Sequence, residues 1–199
     1  MSLTPLDESL ARLSTAIVLG DWAEVTRVRN SAPPGEPNRA WREAVLQVHL
    51  FAGVPRQVEA FEILEKAGGL GAPEPSELLH QPASVEAGFP LFERIYGRNA
   101  SGVQRRLAGF HPDFADWVLG HAYGRVLSRP GLSADRRELL AVTALAATGQ
   151  DRQLASHARG ALACGATREE VQAALEAVRD LIPARHWERA LAVIERFAR

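Results

Sequence analysis

Apolar residues recur along this chain at intervals of three and four, and the alternation of period two that a half-buried strand requires is absent. β-Branched and aromatic residues do not gather into the short runs that mark strands. The pattern predicts an all-α protein. A first amphipathic helix covers 5–19 and stops near Gly20–Asp21, and a second covers 22–30 and ends before APPGEP. A third, over 39–51, carries Trp41, Ala44, Val45 and Val48 on one apolar stripe. Gly53–Val54–Pro55 breaks the chain before a fourth helix over 56–67. The glycines and prolines of GGLGAPEPSELLHQPASVEAGFP then predict a connector over 68–88 with one short helix around 76–80.

Helices resume over 90–96, 102–108 and 112–127, and Pro130–Gly131 makes a turn with Ser133 as an N-cap. The next helix, 138–148, reads ELLAVTALAAT and is apolar almost all round, so it is expected at the buried centre of the fold. Gly149 ends it. A helix over 151–164 follows, closed by Gly165, and Thr167 with Glu170 forms a capping box that opens a helix to 181. Pro183 precedes the last helix, 184–198. A weak repeat runs through this order. Leu10–Phe61 and Leu139–Leu191 share a succession of helices in which Gly20 aligns with Gly149. Trp41, Ala44, Val45 and Val48 align with Val171, Ala174, Leu175 and Val178 after a one-residue gap.

Composition changes this picture little. The chain is 46% hydrophobic with a formal net charge of −1, which supplies no global field for nucleic acid or an anionic membrane. Lys66 is the one lysine among many arginines. The single cysteine, Cys164, excludes a disulfide or a dithiol couple within one chain. No apolar run approaches the roughly 18–20 residues that span a bilayer, and MSLTPLDESLARL lacks the basic-then-apolar order of a secretory leader. A cytoplasmic location is the expectation. His49, His80, His111 and His186 are scattered without ligand spacing, so no metal is expected.

Three stretches carry a likeness: YGRVLSRPGL (123–132), the apolar helix led by Glu138, and SHARGAL…GATREEV (156–171). With the flanking helices they resemble the carboxymuconolactone decarboxylase family, which shares its helical fold with the alkylhydroperoxidase D proteins. The resemblance implies a complete unit over 89–199, preceded by a partial, structural copy over 1–67. In the peroxidase branch a glutamate is followed by Cys-x-x-Cys and a histidine. Counted from Glu138, the two cysteine positions are Gln150 and Gln153, and the histidine is His157. A glutamine cannot attack a peroxide or form a disulfide. Dithiol chemistry is excluded, and only a one-cysteine activity through Cys164 remains as a remote alternative.

The Glu138–His157 spacing can be tested on a hairpin. Glu138 lies eleven residues before Gly149 and His157 eight after it. At about 1.5 Å per residue their levels differ by roughly 4–5 Å, so the side chains can meet. A carboxylate beside an imidazole fixes its tautomer and raises its pKa. Gln153 shares the face of His157 and could bind a substrate carbonyl, and His121 and Tyr123 could line the same cavity. The structural alternatives are a first-turn Glu138 favoured by the helix dipole, a packed core His157, and aromatic packing at Tyr123. The positions aligned with Glu138 and His157 in the first copy are Ser9 and Val28, so a site would be single. The resemblance implies cofactor-free decarboxylation of a small carboxylated lactone or related acid. It also implies a homo-oligomer, with three fused pseudo-dimers closing a ring. The competing reading is a non-catalytic helical scaffold or small-ligand binder.

Overall fold

A computed structural model describes residues 3–33, 38–78 and 83–196. The regular elements among the described residues are all helical. They are α1 (Pro5–Leu19), α2 (Trp22–Asn30), α3 (Asn38–Ala52), α4 (Val54–Lys66), α5 (Val85–Tyr96), α6 (Ala100–Phe110) and α7 (Pro112–Asp116). A π-helix (Trp117–Leu127) continues α7, and α8 (Ala134–Ala147), α9 (Asp151–Cys164), α10 (Arg168–Glu176) and α11 (Ala184–Glu195) complete the order.

Helix ends are set by local chemistry. Thr4 and Asp7 cap α1 reciprocally, and Thr167 and Glu170 do the same for α10, each cap contributing about 1 kcal/mol. Gly20 and Gly149 end α1 and α8 at φ of +74° and +69°, a region that disfavours a Cβ. Helix α8 takes the centre, with every residue from Arg137 to Ala147 buried, and α1, α3, α9 and α10 pack around it.

The order α1–α4 is matched by α8–α11, and several positions play matching parts. Arg56 of α4 donates to the Val18 carbonyl at the end of α1, while His186 of α11 donates to the Ala147 carbonyl at the end of α8 at 2.7 Å. Trp41, Ala44, Val45 and Val48 are buried, as are Val171, Ala174, Leu175 and Val178. A polar seam joins α3 to the second half. The buried Glu43 carboxylate accepts from Arg137 at 2.7 Å and from two nitrogens of Arg129 at 2.8 Å each. Gln47 donates to the Arg137 carbonyl at 2.7 Å.

Helices α5, α6 and the π-helix form a smaller layer over Phe92, Ile95, Leu119, Tyr123, Leu127 and Cys164. Helix α5 crosses the π-helix closely at Gly88. A Cβ there would overlap the Leu119 carbonyl and reach within 2.7 Å of Gly124 N.

Several boundaries differ from the sequence expectation. Helix α4 begins at Val54, because Pro55 falls in the first turn where its missing N–H costs nothing. Helix α5 begins at Val85, inside the expected connector, with Ser84 Oγ accepting the Ala87 N–H at 3.1 Å and Pro90 carried within the helix. The single α-helix expected over 112–127 widens after Asp116, and Ser128 N–H reaches back five residues to the Tyr123 carbonyl at 3.2 Å. Helix α8 starts at Ala134, so Glu138 is not in its first turn; Asp135 takes that place. The short helix expected around 76–80 is a 3₁₀ turn at Pro75–Glu77; Leu79 and His80, like Phe197 and Ala198 at the end of the expected last helix, lie outside the described residues.

Candidate functional site

Glu138 leaves the middle of α8 and His157 the middle of α9, and the turn at Gly149 sets the two helices against each other. Glu138 is 1% exposed and its Oε2 lies 2.9 Å from His157 Nδ1. In neutral His157 the proton therefore sits on Nδ1 and is donated to the carboxylate. Nε2 is left as the nitrogen that can exchange a proton with a ligand. Burial alone would lower the His157 pKa, but the charge of Glu138 and its hydrogen bond outweigh burial and hold the pKa above the ordinary value. Phe51, from α3 of the first half, stands edge-on to the imidazole at 5.8 Å between ring centroids. The site thus draws one wall from the first half.

Tyr123 is buried at 4% exposure and its hydroxyl lies 3.3 Å from that of Tyr96. Burial above all raises the pKa of both phenols and Glu138 adds to it, although the hydrogen bond from Tyr123 pulls Tyr96 back; both stay protonated. Tyr96 carries no signal of its own in the sequence, where it only ends a helix with an apolar face. Gln153 is exposed, one turn before His157 on the same helix. His121 is held elsewhere: its Nε2 meets His49 Nε2 at 2.8 Å with ring centroids 5.0 Å apart, so the rings point at each other. His49 Nδ1 donates to the Leu46 carbonyl at 2.6 Å, so His121 supplies the shared proton when both rings are neutral. Sequence spacing carries no signal for this contact between distant helices.

Cys164 is 7% exposed, and burial, followed by the charge of Glu138, pushes its thiol up to about 11. It therefore lacks the thiolate that a one-cysteine peroxidase needs. Two open cavities, of about 660 and 540 Å3, lie away from the imidazole. One is lined by Arg42, Phe61, Leu70, Glu77 and Arg129 among others, and the other by Arg152, Arg159, Arg189 and Arg196 between α9 and α11.

Comparison with known proteins bears on the family and the fold. The model of the carboxymuconolactone decarboxylase family matches residues 112–196. Peroxisomal protein 2 of Schizosaccharomyces pombe is 31% identical over 138 residues, covering 67% of this chain and 64% of the relative. The 4-carboxymuconolactone decarboxylase of Acinetobacter baylyi is 35% identical over 66 residues, 33% of this chain and 49% of the relative. Peroxisomal protein 2 of Saccharomyces cerevisiae is 24% identical over 161 residues, 67% of this chain and 57% of the relative. The chain thus spans between about half and two thirds of the length of these relatives. Residues 112–196 thus match the carboxymuconolactone decarboxylase family, within an all-helical alkylhydroperoxidase D-like fold.

Proposed function

We propose that this protein decarboxylates a small carboxylated lactone or related acid without a cofactor. The observation that carries this reading is the 2.9 Å bond between the buried Glu138 carboxylate and His157 Nδ1. Glu138 favours the imidazolium, whose Nε2–H can deliver a proton. The carbon–carbon bond to the substrate carboxylate breaks and carbon dioxide leaves. The electron pair enters the conjugated lactone as a dienolate. His157 Nε2–H then protonates carbon, and the imidazole regains its proton from water. Catalysis lies in stabilising the developing enolate by a cation held in place beforehand. The matched decarboxylase of Acinetobacter baylyi supports the substrate class.

The test is an absorbance assay with γ-carboxymuconolactone on wild type and His157→Ala, at matched folding by circular dichroism. Turnover lost in the variant supports reaction and site together; turnover kept removes His157 from it. A second reading, a non-catalytic scaffold or ligand binder, draws on the 13% exposure of the His157 side chain and on cavities lined by other residues. No turnover in wild type would favour it.

The same reading makes the two halves copies, the first standing in for a neighbouring subunit, and makes the protein a trimer. A monomer by light scattering at micromolar concentration would overturn that assembly. As for location, no helix among the described residues is long and apolar enough to cross a membrane. Two relatives named for the peroxisome put that compartment beside the cytoplasm, and fractionation of the source cell decides between them.

A further inference from the structure

Glycine in the interior of a helix needs a reason, since only proline is a poorer helix former. Gly160 lies inside α9, buried, one turn after His157. A Cβ built on it would meet Glu138 Oε2 closer than any non-bonded contact allows, and Ile95 Cγ2 at 2.9 Å. The atom it would strike is the oxygen that accepts from His157 Nδ1.

We propose that Gly160 is a positioning residue for the Glu138–His157 pair: the missing side chain opens the notch in which Glu138 Oε2 stands against α9 and holds the imidazole. The carboxylate end of a surface glutamate could swing aside from a new methyl group. Glu138 cannot do so without loss, because it is 1% exposed and its displacement lengthens the bond to Nδ1. Displacement also leaves His157 buried with its counter-charge further away. The contrast with other glycines is sharp. Gly102 and Gly109 of α6 would seat a Cβ with nothing within 4 Å.

The catalytic part of this inference rests on the proposed decarboxylase reading; the geometric part does not. Its test is therefore a proton titration of the His157 imidazole by NMR, in wild type, Gly160→Ala, Glu138→Ala and the double variant, with Gly102→Ala as a control. The expected result is a titration midpoint that falls in Gly160→Ala, stays in Gly102→Ala, and falls no further when Gly160→Ala is added to Glu138→Ala. Turnover should drop about 100-fold in Gly160→Ala, the loss that a misplacement of about 1 Å can bring. An unchanged midpoint in Gly160→Ala overturns the proposal, as does an equal fall in the Glu138→Ala background. Should Gly160→Ala not fold, Glu138→Ala/Gly160→Ala must fold, because the obstructed oxygen is gone. A double variant that also fails to fold would assign the glycine to packing against Ile95 and end the idea. A coupled midpoint with no turnover in wild type keeps the positioning role and removes the decarboxylase reading alone.

Discussion

Where the second half of the chain holds Glu138 and His157, the first half holds Ser9 and Val28 at the corresponding points of its own hairpin. The Ser9 hydroxyl donates back to the Pro5 carbonyl at 2.9 Å, and Val28 is 4% exposed among apolar neighbours. Both hairpins turn at a left-handed glycine, and both have their first helix capped from the fourth helix of the same half. The fold therefore does not need a buried carboxylate beside an imidazole. Holding one costs desolvation that the first half avoids. On the proposed reading, such local cost is what a site grafted onto one of two similar hairpins would show.

The largest expected effect comes from breaking the seam between the halves. Arg137→Ala would leave the fully buried Glu43 with Arg129 as its remaining cation. Removing one partner of a buried pair costs about 3–5 kcal/mol, to be read from urea unfolding followed by circular dichroism. A loss below about 1 kcal/mol would mean that Arg129 alone satisfies the carboxylate and that Arg137 adds little to the seam.

The next effect lies in the pair that the first half lacks. Glu138→Gln keeps an acceptor near Nδ1 but removes the charge, and should lower turnover about 100-fold, or about 2.7 kcal/mol. It also has a sign in pH. The His157 pKa is raised in the folded state, so its stabilisation is fully present below the unfolded value of about 6.5 and is lost as pH rises through the folded value. The stability of wild type relative to Glu138→Gln should therefore be greatest near pH 6 and shrink toward pH 9. A difference that grows with pH would show that His157 is not charged by Glu138.

Much of this site is legible in the sequence because it is local. Gly149 marks the hairpin, and counting levels on either side of it brings Glu138 and His157 within reach before any coordinates. What escapes the sequence is long-range or depends on close backbone approach. Glu43 and Arg137 meet across the two halves, and each reads alone as a solvated helix charge. The π-helix keeps an ordinary apolar periodicity, and its widened turns lie where α5 crosses at Gly88. The start of α5 is hidden because Gly88 and Pro90 read as breakers, although the apolar face of Phe89, Phe92 and Ile95 carries the helix through them. His121 shares a chain neighbourhood with Tyr123 but faces His49, a contact that spacing cannot express.

A smaller effect compares the two hairpin glycines directly. Both Gly20→Ala and Gly149→Ala force a Cβ into the left-handed region, at about 1 kcal/mol each. A Cβ at Gly20 meets Arg56 Nη1 at 3.2 Å, the end of a flexible side chain, whereas one at Gly149 meets the His186 ring at 2.9–3.1 Å. That ring is fixed by its 2.7 Å bond to the Ala147 carbonyl. Thermal unfolding should show Gly149→Ala losing about 1 kcal/mol more than Gly20→Ala. Equal losses would show that the His186 cap yields as readily as the Arg56 cap.

The smallest effect is expected at Cys164, the one nucleophile type on the acid–base side of the molecule. With its thiol pushed up to about 11, Cys164 carries very little thiolate near neutral pH. Native protein should react with a thiol reagent far more slowly than denatured protein, and Cys164→Ala should leave turnover within about twofold and stability within about 1 kcal/mol. Burial is the main reason, and the same charge that serves His157 adds to it. Glu138 stabilises a cation on the imidazole and opposes an anion on the sulfur, so one buried carboxylate biases both groups toward their protonated forms. Glu138→Gln should then speed the labelling of Cys164 while it slows turnover. If the two rates fell together in that variant, the carboxylate would not be setting both protonation states.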